Sequence, residues 1–202
     1  MNKHIKNDTL DVSRRSFVKG AAGLTFSFGL GGVLLGRPSE VYAAEGAKLN
    51  AYVTIASDNT ITILCPSSEM GQGVLTSLPL ILAEELDADW SKVKCELAPG
   101  NPKLFGGVHK MFPGAQVTLA SVSVPAYYMP LRTAGAQARK VLLDSVAAEW
   151  KVPVEELTTD KSTVIHAKSK RRISYGDVVK FAKVPAELPK IAEGDLKKPS
   201  QF

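Results

Sequence analysis

Reactive and metal-binding residues are scarce in this chain of 202 residues, which holds two cysteines and three histidines. Neither cysteine has CxxC or His-Cys spacing, the usual signal of a zinc or iron–sulfur site. The sequence therefore predicts no metal site, and it treats His109 and His166 as ordinary loop and strand residues. Cys65 and Cys95 lie in strand-like runs, where two isolated buried thiols are favoured and one disulfide is the alternative.

The excess of basic over acidic residues is also small, with a net charge of only +5. Residues 1–43 hold six basic and three acidic residues, so more than half of this excess lies in the first fifth of the chain. The one dense basic cluster, KSKRR at 168–172, contains no aromatic residue and is interpreted as a solvated loop. A nucleic-acid partner is therefore not predicted.

The GxGxxG signature is missing, which argues against a doubly wound nucleotide fold. Apolar alternation predicts strands, and apolar positions three and four residues apart predict helices. The mixture predicts an α+β fold built from a strand hairpin and amphipathic helices. Strands are predicted at 49–56, 60–66, 92–98 and 162–167. Helices are predicted at 74–86 and over much of 123–150, and a short helix is predicted to start within 152–157. A loop is predicted at 99–117.

The N-terminal segment, residues 1–43, is predicted to be an export signal. SRRSFVKG is followed by an uncharged, glycine-rich apolar run at 20–36 and by small residues near Ala43. These three regions are typical of a secretory signal, and Arg14 and Arg15 resemble the twin-arginine type. The apolar run lies at the lower length limit for crossing a bilayer, so a membrane anchor is the alternative. The preferred interpretation predicts a periplasmic protein.

The segment SSEMGQGV, residues 67–74, stands where a strand ends and a helix begins. Glycine permits positive φ and close backbone approach, and the first amides of a helix favour anions. Gly71 and Gly73 are therefore predicted to expose backbone donors, and Gln72 to contact a polar or anionic cofactor. The alternative is an ordinary helix-entry turn. Glu69 is predicted to orient this turn.

A second segment, TLASVS at 118–123, also precedes a predicted helix. Ser121 and Ser123 add hydroxyl groups to helix-start amides, so a second binding element of the same kind is predicted. The alternative is a simple helix cap.

Both segments resemble the xanthine dehydrogenase and aldehyde oxidase family, in which GxEMGQGxxT and TxASxS elements bind molybdopterin. SSEMGQGVLTSLPLILAEELDADWSKVKCELAPG and GAQVTLASVSVPAYYMPLRTAGAQARKVLL follow in the family's order. With the twin-arginine leader, the chain looks like the large subunit of the isoquinoline 1-oxidoreductase type. The resemblance implies that six residues bind the cofactor: Gly71, Gln72, Gly73, Ala120, Ser121 and Ser123.

The resemblance also implies a reaction. An N-heteroaromatic or aldehyde carbon is hydroxylated with oxygen from water, using molybdenum bound to molybdopterin in its cytosine dinucleotide form. The implied partners are a small subunit with iron–sulfur clusters, the twin-arginine export machinery and a cytochrome electron acceptor. The family's catalytic glutamate has no match in this chain, so no catalytic residue is assigned.

Three regions are predicted: the signal at 1–43, the first part of a molybdopterin-binding domain at 47–167, and a linker toward a further domain at 168–202. Large subunits of this family are several times longer, so the chain is expected to be incomplete and inactive alone, whether as a fragment, a truncated product or one piece of a split subunit. The alternative function is an exported α+β binding module without catalysis. Coding sequence downstream of Phe202 would distinguish the two.

Replacing Arg14 and Arg15 together by lysine should keep the precursor in the cytoplasm. The guanidinium group differs from an ammonium group in geometry and hydrogen bonding, and the export receptor reads the arginine pair. Cell fractionation followed by immunoblotting measures the effect. Unchanged periplasmic accumulation of the double variant would contradict the twin-arginine assignment.

Overall fold

A computed structural model describes the backbone of residues 23–27 and residues 51–202. This part of the chain contains seven β-strands and four α-helices, which confirms the predicted α+β class. Most of the predicted export signal lies outside the described residues.

The first sheet has the strand order β1-β2-β3-β4. Strands β1 (Gly23–Ser27), β2 (Ala51–Ala56) and β3 (Ile61–Cys65) pair antiparallel, whereas β4 (Val93–Leu97) runs parallel to β3. The predicted hairpin is therefore present. Strand β1 falls inside the segment assigned to the export signal. The parallel step requires a crossover, and a helix supplies it.

Helix α1 (Val74–Leu86) connects β3 to β4 and has the predicted bounds. The short helix α2 (Pro102–Phe105) interrupts the region predicted as loop. The long helix α3 (Ser123–Trp150) continues through Pro130 and confirms the second predicted helix. Both long helices start directly after a predicted motif, so the fold supports the predicted order of strand or loop, motif and helix.

The core lies around the two long helices, and the first sheet packs against α1, which in turn packs against α3. Alternate residues of β3 are buried, as expected for a strand that shows one face to a helix. The largest fully buried apolar side chains of the described part are Ile55, Ile61, Ile63, Leu78, Leu82, Leu86, Tyr127, Leu131, Leu142 and Tyr175.

Helices α1 and α3 approach each other closely at Gly135. A Cβ atom at this position would lie 2.4 Å from the carbonyl oxygen of Leu82 and 2.8 Å from Cβ of Glu85. Such a contact is too short for any side chain, so the crossing requires glycine. Gly135 therefore sets how near the two helices can lie.

A buried ionic network holds the same crossing. Glu85 is fully buried, its Oε1 accepts from Arg132 Nε at 2.6 Å, and its Oε2 accepts from the backbone N–H of Lys197 at 3.2 Å. Arg139 lies 3.9 Å from Glu85 and 3.2 Å from Asp87. Charged residues of an amphipathic helix are expected on its polar surface, and from the sequence this prediction applies to Glu84 and Glu85. For Glu85 this is wrong, because its partners come from distant parts of the chain.

The C-terminal region also differs from the prediction. Residues 168–202 were predicted to be a linker, and KSKRR a solvated loop. Instead, β7 (Arg171–Ser174) pairs with β6 (Thr163–His166), which confirms the strand predicted at 162–167. With β5 (Leu157–Asp160) they form a second antiparallel sheet, and α4 (Tyr175–Val178) follows it. The outward-facing residues of β7 are polar, so the strand shows no apolar alternation in the sequence.

This second sheet and the C-terminal residues are attached to the end of α1. The buried Tyr175 hydroxyl donates to the carbonyl oxygen of Leu86 at 2.7 Å. Lys197 Nζ donates to the carbonyl oxygen of Glu84 at 2.6 Å and also contacts the carboxylate of Asp87. The segment predicted as a linker therefore packs against the domain.

The described helices include none that is long and apolar enough to cross a membrane. Both cysteines are free, Cys65 buried and Cys95 half-buried, which agrees with the preferred prediction of isolated thiols.

Glu85→Ala should lower the free energy of unfolding by about 3–5 kcal/mol, because it leaves buried arginine charge without its partner. Urea denaturation measures this change. Asp144→Ala is the control, since it removes the exposed Lys140–Asp144 pair and should cost about 0–1 kcal/mol. Equal losses in the two variants would contradict a special role for the buried network.

Candidate functional site

The two predicted motif loops lie side by side in the structure. The backbone N–H of Ser68 donates to Oγ1 of Thr118 at 2.9 Å. Gln116 bridges the same two regions: its Nε2 donates to the carbonyl oxygen of Pro66, and its Oε1 accepts from the backbone N–H of Asn101, both at 2.9 Å. The starts of α1 and α3 are thereby held at one end of the molecule.

Glu69 organises the first loop. One carboxylate oxygen accepts from the backbone N–H groups of Gly71 at 2.7 Å and Gly73 at 3.0 Å, and the other accepts from Leu75 at 2.9 Å. Bonds from the amides of Leu75 and Gly73 lower the pKa of Glu69 below its usual value. The prediction that Glu69 orients the turn is confirmed. The prediction that the Gly71 and Gly73 amides are open donors is wrong in this conformation, because the carboxylate binds them.

Gln72 is exposed, but its side chain folds back on its own loop. Its Nε2 donates to the carbonyl oxygen of Ser68 at 2.8 Å, and its Oε1 accepts from the backbone N–H of Met70 at 2.6 Å. A primary amide carries two N–H donors, and the Ser68 bond uses one of them. The loop therefore presents Gln72 in a held orientation rather than as a free side chain.

Two glycines give this loop its shape. Gly71 has φ of 99° and Gly73 has φ of 83°, a region that side chains rarely enter. A Cβ atom at either position would meet nothing within 4 Å, so neither glycine is required by crowding. Both positions require glycine because of their backbone conformation. This conformation lets the three backbone amides converge on the Glu69 carboxylate.

The second loop carries backbone strain at the predicted residues. Ala120 has φ of 48° and Ser121 has φ of 57°, which costs about 1–3 kcal/mol for each residue without a compensating interaction. Helix α3 starts at Ser123 with Val122 at its N-cap, and no side chain caps it. The alternative of a simple helix cap is therefore wrong. Strain of this kind is concentrated at binding and catalytic sites.

Ser67 is a further polar residue at this place, and sequence reasoning missed it. Its Oγ is buried without a hydrogen-bond partner, and it is the one such side-chain atom in the described residues. A buried hydroxyl without a partner is costly, so native structures keep few of them. Together with the strained second loop, it fits a site that gains contacts when a polar ligand binds.

Exposed apolar side chains lie on the motif loops and on the adjoining loop. Met70 and Met111 are each 70% exposed, and Phe112, Leu119 and Val124 are also exposed. Large apolar groups around a few polar ones are typical of binding surfaces. The signal in the sequence was the run of large residues in a loop rich in glycine and proline.

The described residues contain no group of three or more potential metal ligands. His109 is buried, and its Nδ1 accepts from the backbone N–H of Met111 at 3.1 Å. His166 belongs to a separate cluster on the second sheet. Of the predicted elements, the structure brings together the two motif loops, through Ser68 and Thr118, and neither histidine joins them.

Comparison with known proteins relates the chain as a whole to a family of cofactor-binding domains. The sequence matches the family described as a molybdopterin cofactor-binding domain over residues 3–201. It is 38% identical over 185 residues to the beta subunit of isoquinoline 1-oxidoreductase from Brevundimonas diminuta, covering 90% of this chain and 23% of that protein.

Two further relatives are more distant. A membrane-bound aldehyde dehydrogenase (pyrroloquinoline-quinone) of Gluconacetobacter polyoxogenes is 29% identical over 95% of this chain and 25% of that protein. A subunit of nicotinate dehydrogenase from Pseudomonas putida is 30% identical over 65% of this chain and 10% of that protein. The chain thus spans a quarter or less of the length of these relatives.

Glu69→Gln should increase hydrogen exchange at the amides of Gly71, Gly73 and Leu75, because bonds to a charged acceptor are about twice as strong as neutral ones. NMR-detected exchange, corrected for intrinsic rates, measures the change. Glu155→Gln, on an exposed turn, is the control.

A pH titration gives a second test of Glu69. Its native pKa is lowered, so the carboxylate stabilises the loop above the ordinary glutamate pKa of about 4.3. This protection should disappear as the pH falls through the lower native pKa. Unchanged protection of the three amides in Glu69→Gln would contradict the role of the carboxylate.

Proposed function

The chain belongs to the molybdopterin cofactor-binding domain family, and we propose that it forms one wall of a molybdenum–molybdopterin site in a longer oxidoreductase subunit. The observation that carries this proposal is the Ser68–Thr118 hydrogen bond, which holds the two motif loops together. A cofactor larger than one loop needs such a composite surface.

The residues proposed to contact the cofactor are the exposed Gln72, Ala120 and Ser121, together with Ser123, which is buried at the start of α3. Gln72 offers its second amide N–H, Ser121 offers its hydroxyl group, and the αL backbone at Ala120 turns the second loop toward its helix. Gly71 and Gly73 shape the first loop through Glu69 rather than by offering free amides. This chain supplies binding and orientation, and the bound cofactor supplies the redox chemistry.

We propose that the substrate is an N-heteroaromatic compound or an aldehyde, oxidised with oxygen from water. The support comes from the relatives, whose names specify isoquinoline, aldehyde and nicotinate. Because the chain spans only part of these proteins, the reaction is proposed for the whole subunit.

Two of the relatives are named as subunits, which supports a multi-subunit enzyme. Within it, we propose a small partner with iron–sulfur clusters that removes electrons, a cytochrome acceptor, and the cytosine dinucleotide form of the cofactor. Export by the twin-arginine route to the periplasm belongs to the same proposal, and the leader sequence supports it. An exported binding module without catalysis is the alternative, in which the glycine turn is only structural.

Gln72→Ala, made in the enzyme that contains this chain, should reduce molybdenum occupancy or turnover while folding is retained. Loss of a buried hydrogen bond to the cofactor costs about 1–3 kcal/mol. Metal analysis, a dye-reduction assay with N-heterocycles and aldehydes, and a thermal melt measure the three quantities.

Gln137→Ala is the matched control, because the Gln137 amide donates to the carbonyl oxygen of Pro189, outside both motif loops. Normal metal content and rate in Gln72→Ala would support the structural alternative. Purified enzyme containing pyrroloquinoline quinone and no molybdenum would contradict the proposed cofactor.

A further inference from the structure

A second cluster of polar side chains lies on the β5–β7 sheet, far from the motif loops. Its nearest part of α3 is Trp150, whose ring centroid is 6.5 Å from that of His166. The motif loops adjoin the other end of this 28-residue helix. At 1.5 Å per residue the helix is about 40 Å long, so the two places are separate.

Three residues of this cluster form a hydrogen-bonded series. Ser169 Oγ lies 2.7 Å from Nδ1 of His166, and Nε2 of His166 lies 2.9 Å from Oε2 of Glu156. Ser169 is exposed, whereas His166 is buried. A hydroxyl group, an imidazole and a carboxylate in this order are the parts of an activated nucleophile.

The proton positions follow from the carboxylate. Hydrogen bonds from Lys168 and then His166 lower the pKa of Glu156, so it is ionised at neutral pH and only accepts. In the neutral imidazole, Nε2 then carries the hydrogen and Nδ1 carries the lone pair. The Ser169 hydroxyl group therefore donates to Nδ1, which is the direction that general-base assistance requires.

Arg171 completes the cluster from the next strand. Its Nε donates to Ser169 Oγ at 2.8 Å, and its guanidinium carbon lies 4.5 Å from the centroid of the Trp150 ring. His166 pairs with Arg171 across the β6–β7 ladder, and with Leu157 across the β5–β6 ladder. The strand pairing thus brings the base and the guanidinium group to the same hydroxyl oxygen.

We propose that Ser169 is a nucleophile that takes the acyl group of small activated esters. Its Oγ attacks the carbonyl carbon while Nδ1 of His166 receives the hydroxyl proton. The bond to the leaving oxygen then breaks, and the alcohol leaves with that proton. Water hydrolyses the acyl-serine in the reverse sense, releasing a carboxylic acid and regenerating Ser169. Glu156 is a positioning residue.

The surroundings select the ester. Lys168 and Lys170 are exposed and flank Ser169 in the sequence, and Arg171 contacts its hydroxyl group, so the turn carries positive charge although Lys168 Nζ is paired with Glu156. This charge stabilises the negative charge that builds up on the leaving oxygen before the proton reaches it, which favours a phenyl ester as the donor.

The test is acetylation of the full chain by p-nitrophenyl acetate, quenched in acid and followed by peptide mass mapping. The native protein contains its own control, because the exposed Ser91 hydroxyl group bonds to Asp89 and not to a histidine. Ser169 should be acetylated roughly a hundredfold faster than Ser91, the lower end of what a positioned base contributes. Equal rates at the two serines would overturn the proposal without any variant.

Variants distinguish general-base assistance by His166 from a purely structural role of the hydrogen bonds in the turn. Ser169→Ala should abolish acetylation at this peptide, and His166→Gln should reduce Ser169 acetylation to the rate of Ser91. Circular dichroism and a thermal melt show whether the sheet is retained. A folded His166→Gln protein with the native acetylation rate would mean that the hydroxyl group only stabilises the hairpin. If His166→Gln unfolds, the comparison of Ser169 with Ser91 in the native chain decides.

Discussion

The crossing of α1 and α3 is the constraint on which the rest of the structure depends. Gly135 permits the backbones to approach, and the buried Glu85 carboxylate with Arg132 holds them in one register. This contact lies roughly three turns from the start of each helix. Both motif loops therefore meet at one end of the pair. A slip of either helix would separate Ser68 from Thr118 and divide the candidate site.

Hydrogen-bond donors of the first motif loop are bonded within the loop itself rather than left open to a ligand. The Glu69 carboxylate lies at the N-terminus of α1, where the helix would otherwise attract an anion. Its hydrogen bonds therefore hold the first loop in place before any ligand binds. The second loop has the opposite character, because Ala120 and Ser121 hold strained backbone without a side-chain cap. A preformed loop beside a strained one is consistent with a surface that orients a large cofactor by contacts from several segments.

The two sheets have different relations to the helices. The first sheet packs against α1, whereas the second sheet contacts α3 and is attached to the end of α1 through Tyr175. Lys197 adds contacts to Glu84 and Asp87 at the same helix end. The face of the second sheet carries the Ser169–His166–Glu156 series, at the far end of α3 from the motif loops. Helix α3 thus connects the motif loops to the Ser169–His166–Glu156 series. The ionic network around Glu85 lies between these two regions.

Local patterns in the sequence were enough for the α+β class, for both long helices with their bounds, and for the β2–β3 hairpin, because apolar periodicity and turn residues act over a few neighbours. The role of Glu69 also followed from its place beside a glycine turn. The burial of Glu85, the orphaned hydroxyl of Ser67 and the packing of residues 168–202 did not follow. Each depends on partners many residues away, Arg132 and Lys197 for Glu85, and on the space that the packed elements leave. Periodicity reports which face of an element is apolar, whereas only the tertiary structure decides which polar group that face encloses.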